Sequence, residues 1–294
     1  MPLKMKTVPE NFIKIRKILL AVLALNWLVA IAKIVFGLIS RSASMTADGF
    51  HSLSDGASNI IGVVGIHLAS QPKDKDHPYG HKKYETFFSL GIAFLLFLVA
   101  IGIVHESFSR FANPVDIKIN LFTFIVMFIT IGINVFVMRY EKKRGKELKS
   151  DILTSDSMHT RADIFTSFSV LLAFISVKAG YPVLDPVISI FISFFIAHSG
   201  YKIMKESSDI LCDAAALTNV KPIIDAALKI GGVKSCHKVR TRGRPDDIYV
   251  DLHVEVDGRI SVDDAHNICY AIEESIKNSN TGVTDVVVHI EPKK

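Results

Sequence analysis

Hydrophobic residues gather into six long runs before about residue 205, and after that point they mix with Asp, Lys and Gly. A helix needs about 20 predominantly apolar residues to cross the hydrocarbon core of a bilayer, and all six runs reach that length. A soluble fold has no comparable need for repeated apolar segments of this size. We therefore predict helical spans near residues 18–39, 45–69, 87–108, 119–138, 152–177 and 183–204.

The remainder of the chain has the pattern of a small α/β domain. Helical spacing, strand-like alternation and amphipathic spacing follow one another in the order α-β-β-α-β, which is consistent with a ferredoxin-like sandwich. The predicted elements cover residues 220–230, 238–241, 248–256, 262–277 and 286–290.

The predicted fold class is a membrane all-α bundle of six transmembrane helices, followed by a cytoplasmic α+β (ferredoxin-like) C-terminal domain. We place the membrane domain at residues 1–206, with a cytoplasmic loop at 70–86, and the tail domain at 207–294.

Composition and charge agree with this division. The chain is 49% hydrophobic and 21% charged, with a mean hydropathy of +0.34, and soluble domains seldom have such values. Lys and Arg are concentrated after the second and fourth spans, so both termini are expected in the cytoplasm. This bias accounts for the net charge of +5 without nucleic acid binding. No organellar targeting extension is evident, which favours a prokaryotic plasma (inner) membrane.

Ionisable residues interrupt the second and fifth spans with one repeated spacing, D-x-x-H-x-x-x-D. Residues three and four apart share a helix face, so each copy forms a polar stripe. An ionisable group in the bilayer costs about 3 kcal/mol on insertion scales, so these side chains are expected to avoid lipid. The two copies are Asp48, His51 and Asp55, and Asp156, His159 and Asp163.

Two helices that each offer one imidazole nitrogen and one carboxylate oxygen can supply four ligands to one ion. Zn²⁺ readily accepts such a tetrahedral set. The alternative is a structural role, in which polar side chains hydrogen-bond helices together. The duplication favours an ion site formed by His51, Asp55, His159 and Asp163.

The first aspartate of each copy is an accessory candidate. Asp48 could instead pair with Lys33, and Asp156 could be a first-turn acid favoured by the helix dipole. Metal binding and a role in the access path stay open for both.

Two further groups of polar residues have metal-ligand chemistry. The cytoplasmic loop carries Asp74, His77 and His81 in the spacing D-x-x-H-x-x-x-H, where an ordinary solvated connector is the alternative. In the tail, the period of two places His289 and Glu291 on one face of the last strand. If the middle strand lies beside it, His253 can join them; otherwise they form the wet face of a one-sided sheet.

The six spans, with H-x-x-x-D in the second and fifth, and the cytoplasmic tail resemble the cation diffusion facilitators. The resemblance covers essentially the whole chain, and it implies a homodimer that exports divalent transition metals, most commonly zinc, in exchange for protons. It also implies that His51, Asp55, His159 and Asp163 are the transport ligands. Branches associated with iron and manganese have aspartate in place of the first histidine, so His51 favours zinc, with cadmium and cobalt still open.

The resemblance extends to the other sites. The stretch HPYGHKKYE is similar to a loop in which some members hold a second zinc ion, and Lys83 matches a lysine that pairs with an acid matched here by Asp213. The last tail ligand is Glu where relatives have Asp. The tail positions implied as zinc ligands are His237, His253, His266, His289 and Glu291.

We therefore expect a metal/proton antiporter that works by alternating access, with Zn²⁺ as substrate and as a structural or regulatory ion, and with no organic cofactor. A metalloenzyme is disfavoured because H-E-x-x-H is absent and four protein ligands leave no open coordination position. A metal sensor or scaffold without transport would be expected to lose transport ligands, and all four are present here.

Overall fold

The computed structural model describes residues 10–39, 53, 56–112, 121–178, 184–280 and 282–293. The chain separates into two compact units, Met1–Ser207 and Ser208–Lys294. Helices make up the described part of the first unit, and helices with a small sheet make up the second. This organisation confirms the predicted fold class.

Six helices are described in the first unit, and they correspond in order to the six predicted spans. Helix α5 packs against α2, α3 and α4, while α6 packs against α3 and α5. The helices are α1 (Glu10–Ile39), α2 (Ala57–Ala69), α3 (Lys83–Ala112), α4 (Leu121–Leu148), α5 (Asp151–Lys178) and α6 (Leu184–Leu211).

The polarity of this unit is distributed as a membrane requires. Large apolar side chains such as Phe94, Phe136 and Phe194 are exposed on its outside. Within the described residues, α1, α3 and α6 contain segments long and apolar enough to cross a membrane, and α2 is a shorter apolar helix. Polar side chains are buried between the helices, among them Ser58, Asn59, Thr86, Ser89, Glu141, Asp156, His159, Thr160, Ser193 and Ser199.

The beginning of α5 is fixed to the beginning of α3. Ser150 caps α5, since its Oγ accepts a hydrogen bond of 3.3 Å from the backbone N–H of Leu153. The same hydroxyl donates to Oε1 of the buried Glu85 at 2.5 Å, and Thr86 Oγ1 donates to Asp151 Oδ2 at 2.7 Å. Because Glu85 lies in the first turn of α3, at the end of the polar loop, these hydrogen bonds connect the loop to the helix that carries His159.

The second unit contains helix α7 (Lys221–Leu228), strand β1 (Ser235–Arg244), strand β2 (Asp247–Val256), helix α8 (Val262–Ser279) and strand β3 (Val283–Pro292). Among the described residues the sheet has the order β1-β2-β3, with β1 antiparallel and β3 parallel to β2. Both helices pack on one face, where Ile223, Ile272 and Ile276 contact Val250 and Leu252 of β2. The other face is left for polar side chains.

Strand β1 is longer than the predicted 238–241 and is irregular at its centre. Its pairing with β2 shifts between His237 and Arg240, and Lys238 has a φ of 49°. Such a bulge breaks the simple alternation that marks a strand in a sequence. It leaves His237 directly opposite His253.

A substitution at Gly243, near the turn between β1 and β2, tests how tightly the backbone of this sheet packs. The φ of Gly243 is +106°, and a Cβ atom would lie 2.2 Å from the backbone oxygen of Asp247. We expect Gly243→Ala to lower the free energy of unfolding of the segment 208–294 by about 3 kcal/mol in urea denaturation. Gly231→Ala is the matched control, because that site is open, and its effect should stay within about 0.5 kcal/mol. Equal midpoints for the two variants would contradict the expectation.

Candidate metal sites

Helix α5 presents one half of the predicted transport site. His159 is buried and Asp163 is half-buried, and His159 Nε2 lies 4.0 Å from Asp163 Oδ1. Zinc forms bonds of about 2.0–2.2 Å to nitrogen and oxygen, so one ion can reach both atoms. The other half, His51 and Asp55, lies outside the described residues.

Of the two accessory aspartates, only Asp156 lies among the described residues. Asp48 lies outside the described residues. Asp156 is not a first-turn acid, because α5 begins five residues earlier at Asp151. Its carboxylate is buried and accepts a hydrogen bond from Asn59 Nδ2 of α2, whose Oδ1 accepts from Asn26 Nδ2 of α1 at 3.1 Å. Asp156 thus joins three helices through hydrogen bonds.

The cytoplasmic-loop candidates are brought together. Single ligand atoms of Asp74, His77 and His81 all lie within 4.8 Å of one another. Asp74 Oδ1 is 3.1 Å from His77 Nδ1, and Asp74 Oδ2 is 3.4 Å from His81 Nε2. A tight turn makes this possible, because the N–H of Gly80, at a φ of +95°, donates to the carbonyl oxygen of His77 at 2.9 Å.

Electrostatics prepare this loop for a cation. The backbone N–H of His77 donates to Asp74 and holds the pKa of that carboxyl below its usual range, so it stays ionised. His81 is only 4% exposed, and its Nδ1 has no hydrogen-bond partner among the residues described. Two imidazoles and one carboxylate form a three-ligand set of the kind that binds zinc with a further ligand from solvent.

The tail candidates meet on the polar face of the sheet. His253 Nδ1 is 2.8 Å from Glu291 Oε1, and His237 Nε2 is 3.3 Å from Glu291 Oε2. One ligand atom from each of these three residues lies within 4.8 Å of the others. Strand pairing brings these side chains together, because His253 lies opposite both His237 of β1 and His289 of β3.

Two tail candidates differ from these three. His289 lies beside the cluster, with its ring centroid 4.6 Å from that of His253, but its side chain is 63% exposed. His266 is not brought to the cluster. It lies on α8, which covers the apolar face of the sheet, and its ring contacts Tyr270 on the same helix. The sheet therefore separates His266 from the cluster within one protomer.

The pKa of Glu291 is lowered, first by its hydrogen bond with His253 and then by the charges of Lys238, His253 and His237. The carboxylate is consequently ionised near neutral pH. Zinc and protons compete for the ligand set, so the zinc affinity of the segment 208–294 should fall as the pH is lowered, by up to roughly 100-fold per pH unit if each ion displaces two protons.

Isothermal titration with Zn²⁺ between pH 7 and pH 5 measures this dependence. Glu291→Gln should lower the affinity at every pH while preserving the slope. An affinity that is constant over this range would show that His237 and His253 do not bind the ion together.

The predicted pair of Lys83 and Asp213 would join one unit to the other, and it stays a prediction. Two residues that matter in the structure were missed by the sequence reasoning, the buried acids Glu85 and Glu141. Glu85 was visible only as part of the loop motif, although a first-turn acid at a helix start was a usable signal. Glu141 follows the predicted fourth span among basic residues, where an acid is ordinarily solvated.

Comparisons with known proteins agree with this architecture. Residues 19–212 match the family model of the cation efflux transmembrane domain, and residues 217–293 match that of the cation efflux protein cytoplasmic domain. An uncharacterized transporter of Methanocaldococcus jannaschii is 32% identical over 267 residues, which cover 90% of this chain and 94% of that protein.

The manganese efflux system protein MneS of Bacillus subtilis is 26% identical over 263 residues, covering 88% of this chain and 89% of that protein. A solved structure of a MamM CTD variant is 29% identical and covers 24% of this chain and 90% of that chain, with a TM-score of 0.24. The transmembrane model alone matches more than half of the chain. The chain therefore belongs to the cation diffusion facilitators, a family of integral membrane proteins that carry out efflux of divalent metal cations.

Proposed function

We propose that this protein exports Zn²⁺ from the cytoplasm in exchange for protons, by alternating access, as a homodimer of the plasma membrane with both termini in the cytoplasm. The observation that carries the proposal is the buried His159 with Asp163 one turn away on α5, in a spacing that the second span repeats. Four ligands from two helices, His51, Asp55, His159 and Asp163, then hold the ion.

The ligand chemistry supports both the metal and the exchange. Imidazole suits zinc, whereas sites for manganese are typically built from oxygen ligands. A metal ion binds only neutral imidazoles and ionised carboxylates, so loading releases protons. On the far side, protonation of His51 or His159 competes with the ion, since histidine titrates near the pH of many compartments. Metal and protons thus exclude each other at one site.

The loop and tail clusters support a regulatory role for cytoplasmic zinc. Binding at Asp74, His77 and His81 would stiffen the loop. The hydrogen bond from Ser150 to Glu85 connects the end of that loop to the start of α5. Zinc at the tail cluster would stabilise the dimer. Either effect is allosteric only if it changes the affinity of the transport site.

Manganese efflux is the second candidate, because MneS and this chain align over most of both lengths. Cadmium, cobalt and iron are further alternatives. The two histidines of the predicted transport site favour zinc among these ions.

Zinc uptake into proteoliposomes that are acidic inside tests the proposal. Wild-type protein should take up Zn²⁺ faster than protein-free liposomes, and Zn²⁺ should outcompete Mn²⁺, Co²⁺, Fe²⁺ and Cd²⁺. A preference for Mn²⁺ would select the second candidate. Failure to move any of these metals would favour a sensor or scaffold.

A further inference from the structure

Two buried carboxylates face each other between α4 and α5. Glu141 is 0% exposed and Asp156 is 1% exposed. Each lies within hydrogen-bonding reach of the other's side chain, although both are acceptors when ionised. Two like charges at this separation in a dry interface are strongly unfavourable, so the pair must hold either a shared proton or a cation.

The surrounding donors leave one oxygen of each carboxylate for such an ion. Glu141 Oε2 accepts from Thr160 Oγ1 at 3.1 Å, and Asp156 Oδ2 accepts from Asn59 Nδ2. Glu141 Oε1 and Asp156 Oδ1 are fully buried, and no described residue donates a hydrogen bond to them. The remaining two oxygens, Glu141 Oε1 and Asp156 Oδ1, are the atoms through which a cation could be held by both carboxylates.

The position of this pair relates it to the transport site. Asp156 precedes His159 by three residues, a rise of about 4.5 Å along α5. Glu141 and Asp156 also lie towards the short connection between α4 and α5, which the Lys and Arg distribution places in the cytoplasm. An ion that entered from the cytoplasm would reach the pair before His159 and Asp163.

We propose that Glu141 and Asp156 form an oxygen-donor site for a divalent cation, at which the transported ion stops on its way from the cytoplasm to His159 and Asp163. This proposal rests on the cytoplasmic loading described under the proposed function. A divalent cation neutralises both carboxylates, whereas one shared proton would leave a net negative charge in the bundle.

The chemistry of the pair suits a transit site better than a final one. Oxygen ligands bind Zn²⁺ less selectively than imidazoles and also accept Mn²⁺. The ion therefore passes from a permissive pair of carboxylates to a histidine-containing site that discriminates between metals. Removing the pair should weaken loading without removing the transport ligands.

Zinc stoichiometry of the full-length protein in detergent tests this site. The starting variant combines His81→Ala and His253→Ala, which disable the loop and tail clusters, and it should bind two zinc ions per protomer. Adding Glu141→Gln should leave one, because glutamine keeps the shape and can donate to Asp156. Glu147→Gln is the matched control on α4, since Glu147 is exposed and pairs with Arg144, and it should leave two.

Transport kinetics provide a second measurement. Glu141→Gln in otherwise wild-type protein should raise the KM for zinc roughly tenfold, a loss typical for a residue that supports a metal site, and change the maximal rate far less. Glu141→Asp keeps a carboxylate and should recover part of the lost affinity. A purely structural role for Glu141 would not produce this split between KM and maximal rate.

The outcomes separate the two proposals. If Glu141→Gln retains two zinc ions and alters only proton release, the pair holds a proton and the metal site is excluded. If His159→Ala in the same starting variant also retains two ions, the proposed transport site fails independently of the pair. Should Glu141→Gln fail to fold, the same measurements on Asp156→Asn decide the question.

Discussion

Replacing His159 by alanine is expected to abolish zinc uptake by proteoliposomes. The loss should exceed the roughly 10–100-fold that removal of an outer-shell partner causes, because His159 is proposed as a direct ligand. Alanine leaves three ligands, one of which, Asp163, then carries a half-buried charge without its neighbouring imidazole. The initial rate of zinc uptake, with acidic liposomes and matched protein content, measures the effect.

His198→Ala provides the control for this substitution. His198 lies on α6 and is exposed, so the same chemical change there should leave the rate within twofold of wild type. Both variants should elute as the same assembly in size-exclusion chromatography. Zinc uptake by His159→Ala at the wild-type rate would show that His159 of α5 is not a ligand of the transported ion.

In the tail, His253→Ala is expected to reduce zinc affinity of the segment 208–294 by at least about 100-fold. His253 is central to the cluster, since its Nδ1 lies 2.8 Å from Glu291 and its ring lies near those of His237 and His289. Removing it deletes one ligand and releases the hydrogen bond that holds Glu291. Isothermal titration with Zn²⁺ measures the loss.

His266→Ala is the informative comparison, because family resemblance includes His266 among the ligands whereas the fold places it on α8, away from the polar face. We expect this variant to bind zinc as wild type does. If His266→Ala loses affinity as strongly as His253→Ala, the ion is bound elsewhere, and a second protomer must complete the site.

The features that the sequence predicted well are those fixed by a regular period. Spacing of four on a helix placed His159 and Asp163 together, and spacing of two on a strand placed Val250 and Leu252 in the core with His253 on the opposite face. These predictions need only the geometry of one element, so they do not depend on how elements pack.

The features that the sequence did not predict depend on the packing of neighbouring elements or on irregular backbone. The bulge at Lys238 aligns His237 with His253, and its positive φ leaves no mark in hydrophobic patterning. The acid at position 141 follows an apolar run and precedes basic residues, so its pattern indicates exposure to solvent. Its burial depends on the packing of α4 against neighbouring helices, including α5. His266 has the right residue type, but its face of α8 could not be assigned before the sheet order was known.

Simultaneous counting of zinc ions and protons tests the central claim most directly. Liposomes that are acidic inside, loaded with a pH-sensitive dye and a zinc-sensitive dye, report both fluxes in one experiment. We predict that every zinc ion entering is matched by at least one proton leaving, that an ionophore which collapses the pH gradient slows zinc uptake, and that both fluxes disappear in Asp55→Ala. Zinc uptake that proceeds without proton counterflow, or that continues unchanged in Asp55→Ala, would contradict exchange at the four-ligand site.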